Sequence, residues 1–229
     1  TRYRSSAASD VYKRQIKERG AGAVLPYQII RDLLDTGSSY ARGVGLSLLA
    51  AMSDDDLVGH QRDLIALTTH VHADVRTAAR PLIRRMLSRP ALAAVLADEL
   101  LTLLPDQSDE AIAASLEALI TGDLGGTIRG MLDRDPIPVR AHLAVLLHGQ
   151  STPICRVGLW LLSLQSDEVL LGEVRLLLSL CVSDRAALRI HVRPLLKRLA
   201  ERDREFAEGF VEKLLSRTTS PTFGGGPYN

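Results

Sequence analysis

The chain has 229 residues, of which 46% are apolar, 24% charged and 4% aromatic, with 28 basic residues set against 27 acidic ones. The length suits one domain or one stretch of a repeat array with ample apolar residues for a core, and the charge balance excludes an overall polycation of the histone type. Two cysteines, 26 positions apart, exclude a disulfide scaffold and a zinc site of four thiolates.

Residues 1–15 (TRYRSSAASDVYKRQ) do not begin with Met and carry no apolar period; they resemble translated sequencing adapter, with a disordered basic arm as the alternative. Arg2, Arg4, Lys13 and Arg14 against Asp10 give this segment +3, so the rest of the chain carries −2 of the total +1. A fragment of a longer bacterial protein is the expected origin. No run of 18 apolar residues is present, so no membrane span is expected. With no basic-then-apolar leader legible, the expected compartment is cytoplasmic and reducing.

From residue 16 onward the apolar period is helical. Val75, Ala78, Ala79, Leu82, Ile83 and Met86 follow i, i+3, i+4, i+7 spacing, while Arg76, Arg80 and Arg84 fall on another face. Punctuation recurs every 12–18 residues, with Ser and Asp placed as N-caps. Helices are predicted at 25–35, 39–52, 54–69, 73–88, 90–104, 108–120, 138–148, 152–165, 167–182, 186–201 and 203–216. Residues 124–133 are either an irregular turn or a stunted helix. The Gly/Pro/Ser/Thr run 217–229 reads as a linker or tail, leaving 16–216 as the folded unit.

An internal duplication organises this unit. Shifted by 113, residues 25–89 lie over 138–202 without a gap, and 22 of the 65 positions are identical. The blocks include Val44-Gly45-Leu46 over Val157-Gly158-Leu159, Ser53-Asp54 over Ser166-Asp167, and Arg80-Pro81-Leu82 over Arg193-Pro194-Leu195. Stacked helical pairs account for such a repeat, because each pair leaves an apolar flank that only a neighbour can cover.

The segment Asp74-Val75-Arg76-Thr77-Ala78-Ala79-Arg80-Pro81-Leu82-Ile83 resembles the second-helix motif of HEAT repeats, in the armadillo-like α-solenoid family. Pro138-Val139-Arg140 and Ala187-Leu188-Arg189 match less fully. The resemblance implies an all-α, right-handed solenoid of about five to six repeats over residues 24–216. It also implies structural, inter-repeat roles for Asp74, Arg76 and Arg189. Pro81 and Pro194 fall inside predicted helices and should kink them.

The candidate chemistry is sparse. Arg76, Arg80, Arg84, Arg85 and Arg89 form one basic helix row, and Arg185, Arg189, Arg193, Lys197, Arg198 and Arg202 form its counterpart. Either row can bind an acidic partner or phosphate, or serve ion pairing between repeats. His70 and His72 lack the spacing and companions of a zinc site. Asp54, Asp55 and Asp56 suit a first helical turn, and Gly122-Asp123-Leu124-Gly125-Gly126 matches no nucleotide-binding loop. Cys155 and Cys181 read as buried small hydrophobes, and Trp160 as core filling or a groove anchor.

No catalytic residues and no cofactor are expected. The expected function is a non-catalytic protein-interaction scaffold with Arg80, Arg84, Trp160, Arg193 and Lys197 as candidate partner contacts. The alternative is a duplex-DNA-binding HEAT-like module, of a DNA-glycosylase-like kind among others, which the near-neutral charge and the lack of aromatic residues interleaved with the basic rows disfavour.

Overall fold

A computed structural model describes residues 27–219; the proposed adapter segment and the last ten residues lie outside them. Fourteen α-helices make up the described residues, with no strand among them. The first half runs α1 (Tyr27–Leu34), α2 (Ser39–Ala50), α3 (Asp54–Gly59), α4 (Gln61–Thr68), α5 (Ala73–Met86) and α6 (Pro90–Leu103). A joining region follows: α7 (Glu110–Ala118), a π-helical turn (Leu119–Asp123) and α8 (Gly125–Arg134). The second half runs α9 (Pro136–Leu147), α10 (Thr152–Ser163), α11 (Asp167–Gly172), α12 (Val174–Cys181), α13 (Ala186–Arg202) and α14 (Arg204–Thr219).

Local chemistry sets these boundaries. Ser53 accepts from the Asp56 N–H at the start of α3, and Ser166 accepts from the Val169 N–H at the start of α11. Asp109 accepts from the N–H groups of Ala111 and Ile112 and opens α7. Each cap satisfies donors that the first helical turn leaves free.

The duplication extends from sequence to packing. Helices α2 and α10, α3 and α11, and α4 and α12 have identical lengths at the 113-residue offset. The contacts α1–α2, α2–α5, α3–α5, α4–α5 and α4–α6 recur as α9–α10, α10–α13, α11–α13, α12–α13 and α12–α14. One continuous apolar cluster runs from Ile30 to Phe210 through both halves and the joining region.

Several expectations need correction. The single helices predicted at 54–69 and 167–182 are each broken in two, at His60 (φ −114°, ψ 25°) and Glu173 (φ −98°, ψ 36°). Gly59 and Gly172 end the first segment in each case, and glycine is the weakest helix former after proline. The N–H of His60 then bonds the Leu57 carbonyl, three residues back rather than four, and Glu173 does the same with Leu170. Of the two readings of residues 124–133, the helix is the one found, as α8 over Gly125–Arg134. The last helix continues to Thr219, three residues past the expected end. Helices α5 and α13 run through Pro81 and Pro194, both on exposed surface.

Among the described residues no single helix is long and apolar enough to cross a membrane, and the two apolar stretches Glu110–Asp123 and Gly125–Arg134 meet at 64°.

Two glycines at matching positions allow the helices of a pair to touch. A Cβ on Gly158 would lie 2.9 Å from the Leu147 nitrogen and 3.1 Å from the Leu146 carbonyl carbon, both backbone atoms. On Gly45 it would lie 3.0 Å from Leu33 Cβ and 3.1 Å from Leu34 Cδ2. Gly43, in the same helix as Gly45, has no atom within 4 Å of such a Cβ. Thermal melts are expected to separate these cases by sign. Gly43→Ala should stabilise by up to about 1 kcal/mol through helix propensity, whereas Gly158→Ala should destabilise by about 1–3 kcal/mol because α9 must move. A stabilising Gly158→Ala would disprove the close approach.

Candidate interaction surface

The two basic rows lie on α5 and α13, and most of their cations are engaged. Arg85 donates from Nε (2.9 Å) and Nη2 (2.6 Å) to Asp54 on α3, and Arg89 reaches Asp55. At the same offset Arg198 pairs with Asp167 on α11 at 2.8 Å, and Arg202 pairs with Asp167 and Glu168. The acidic first turns of α3 and α11 thus suit their helix dipoles and also anchor the basic helix that follows.

The carboxylates respond accordingly. The Arg202 hydrogen bond, with the charges of Arg198 and Arg202, holds the Asp167 carboxyl below its ordinary range. Glu168 is lowered by its own backbone N–H first and by Arg202 next.

Arg76 and Arg189 also act at equivalent places, but not as inter-repeat bridges. Arg76 donates to the carbonyls of His70 (2.6 Å) and Val71 (3.1 Å), and Arg189 donates to the Ser183 carbonyl. Each closes the turn that precedes its own helix. The bridge to the preceding pair is made instead by Arg42 on α2, whose Nε donates to Asp74 at 2.9 Å and whose Nη1 donates to the Thr36 carbonyl. That hydrogen bond from Arg42 lowers the Asp74 carboxyl.

Arg80 and Arg84 converge on one carboxylate. Arg84 Nε donates to Asp123 Oδ1 at 2.6 Å, Arg80 Nε donates to Oδ2, and Arg80 Nη2 also reaches the Ala118 carbonyl. The Asp123 side chain is only 10% exposed, while those of Arg80 and Arg84 are 40% and 56% exposed. Burial pushes the Asp123 carboxyl up, but the hydrogen bonds and charges of the two guanidiniums outweigh it and hold it below the usual carboxylate range. Neither arginine is a free cation: both are engaged in this clamp on the π-helical turn while their side chains stay partly exposed.

Trp160 belongs to the same neighbourhood. It is half-buried on α10, packed against the apolar cluster, and a Cβ on Gly125 would lie 3.6 Å from its Cζ2. The turn 122–125 is therefore gripped by Arg80 and Arg84 at Asp123 and approached by Trp160 at Gly125. Arg193 and Lys197 stand apart on α13. Arg193 is exposed, and Lys197, 79% exposed, faces only Glu201 of its own helix at 3.8 Å.

Other side chains flagged in the sequence are also placed. His70 Nε2 lies 3.1 Å from Asp35, and the His72 N–H donates to His70 Nδ1. Among the described residues no three His, Cys, Asp or Glu side chains gather as a metal site would require. Cys155 is buried with its Sγ donating to the Gly149 carbonyl, and burial raises the half-buried Cys181 thiol. Two shallow grooves also match across the duplication. One, of about 460 Å³, includes Arg62, Ile65 and Leu103; the other, of about 520 Å³, includes Arg175, Leu178 and Ser216.

Sequence reasoning missed Asp123 as the partner of the basic row. Its one signal was an acid within the glycine-rich stretch 122–126, where the backbone can approach α5 closely. Comparison with protein-family models and with curated proteins returns no match.

The clamp predicts a pH signature. Asn at 123 cannot offer two charged acceptors, so Asp123→Asn should cost about 2 kcal/mol near neutral pH. The folded carboxyl titrates below its unfolded value of about 3.9, so its stabilisation is whole above about pH 4 and is lost as the pH falls through the folded value. Melting curves of the two proteins should converge in acid; a gap that persists unchanged to pH 3 would dismiss an ionised Asp123.

Proposed function

We propose that this chain is a non-catalytic scaffold: a right-handed solenoid of about five to six HEAT-like helical pairs that offers a protein partner a preformed helical surface. The observation that carries this reading is the recurrence of the same caps, breaks, arginine anchors and helix contacts at a single 113-residue offset. Repeated units of this kind bury each other's flanks and leave an extended face whose order is settled before a partner arrives, so little conformational entropy opposes binding.

The duplex-DNA alternative loses support from the state of the α5 row. Arg80, Arg84, Arg85 and Arg89 are already matched to Asp123, Asp54 and Asp55, and a phosphate backbone would have to displace those carboxylates.

Immobilised protein is expected to retain a small, reproducible set of proteins from lysate at moderate salt, and to leave duplex DNA of about 20 base pairs unshifted. Retention of no protein above a denatured control, together with a salt-sensitive DNA shift, would reverse the assignment.

A further inference from the structure

We infer that the exposed face of α9 pairs two copies of this chain about a two-fold axis that runs along the helix, so that the acidic side of one copy meets the basic side of the other. The inference goes beyond the scaffold reading and does not rest on it.

A difference between the halves comes first. The exposed positions described on α9 are Ile137, Ala141, Ala144 and Val145, with Ile137 71% and Val145 54% exposed. Their spacing of i, i+4, i+7 and i+8 makes them one stripe of the helix. In the places of Ala141, Ala144 and Val145, α1 exposes Gln28, Arg31 and Asp32. Helix α1 packs on α2 as α9 packs on α10, so the fold itself does not require an apolar outer face here. An apolar stripe that the duplicate does without marks a surface that something covers.

Its place in the array narrows what that is. Helix α9 contacts α6 on one side and reaches the start of α12 on the other through Arg140 and Glu173. The stripe therefore lies within the row of helices. A further helical pair stacked on either end would contact only the pair next to it and would leave the stripe open.

Charge then selects the occupant. The groove on the α6 side is lined by Glu99 and Asp106 against the single cation Arg62. Its counterpart on the α12 side is lined by Arg175 and Lys213, and its acid, Glu173, is taken by Arg140. An apolar stripe with opposite charges on its two sides is complementary to itself. A two-fold axis along α9 joins the stripes and exchanges the sides, turning Glu99 and Asp106 of each copy towards Arg175 and Lys213 of the other. An axis across α9 would set like charges together, which rules out that arrangement. An unrelated partner needs both signs in the right order; a second copy carries them by construction.

Sedimentation equilibrium of the full chain at low salt, over about 1 to 100 μM, reads the outcome directly. A monomer–dimer equilibrium is expected, and Val145→Glu should leave a monomer. That position is exposed, so the variant should keep the wild-type melting temperature at low concentration, which verifies the fold. Glu99→Lys with Asp106→Lys, and separately Arg175→Glu with Lys213→Glu, should each weaken self-association about tenfold or more. Mixed together, these two charge variants should form a heterodimer, because each then offers one sign on both sides. A wild-type chain that stays monomeric throughout, or a dimer indifferent to Val145→Glu, overturns the inference. So does a mixture of the charge variants that associates no better than either alone.

Discussion

A pair of amphipathic helices has more apolar surface than its two members can hide from water, and the rest of this structure follows from covering the excess. The covering is continuous: one cluster of side chains, rich in leucine, runs from Ile30 to Phe210 without dividing into separate cores. Burial of that kind supplies the energy, and its close fit, as at Gly45 and Gly158, holds the helices in one register. The arginines mark the same register at the surface. Arg85 on Asp54 and Arg198 on Asp167 are partly exposed pairs, each worth little in free energy, and they join the long basic helix to the short acidic one before it at matching positions.

The joining region adapts two similar halves to each other. The stretch Glu110–Asp123, which ends in the π-helical turn, meets α8 at 64°, and the turn brings Asp123 under Arg80 and Arg84. A feature that reads in sequence as a mere glycine-rich interruption thus carries one of the most buried acids in the described chain, and it connects α5 to the segment that leads into the second half.

The all-helical class, most helix boundaries and the duplication were legible because they rest on local signals: apolar spacing, Ser and Asp caps, and a gapless offset. The breaks at His60 and Glu173 were not, since the apolar period passes through both without interruption and only a single glycine marks each. Partner choice was the least legible of all. The basic rows were visible, but whether an arginine faces solvent or a carboxylate some forty residues away depends on packing between elements. Arg76 shows the same limit: its motif suggested a bridge to the next repeat, and its guanidinium closes its own turn instead. Positions can keep a contact while changing its chemistry, as where Tyr27 stacks on His60 in one half and Arg140 pairs with Glu173 in the other.

The tie beneath the turn after α1 and α9 has diverged further. In the first half Arg42 donates to the Thr36 carbonyl and to Asp74. In the second half Cys155 stands where Arg42 would be and donates to the Gly149 carbonyl, and Arg185, from the opposite side of the contact, donates to the same carbonyl. The guanidinium has changed sides, and Ala187 holds the sequence position of Asp74. The halves are therefore no longer interchangeable parts. A hybrid with Arg185–Leu199 grafted in place of His72–Met86 would bring two like charges to one carbonyl with no acid between them, so each half has become committed to its own place in the chain.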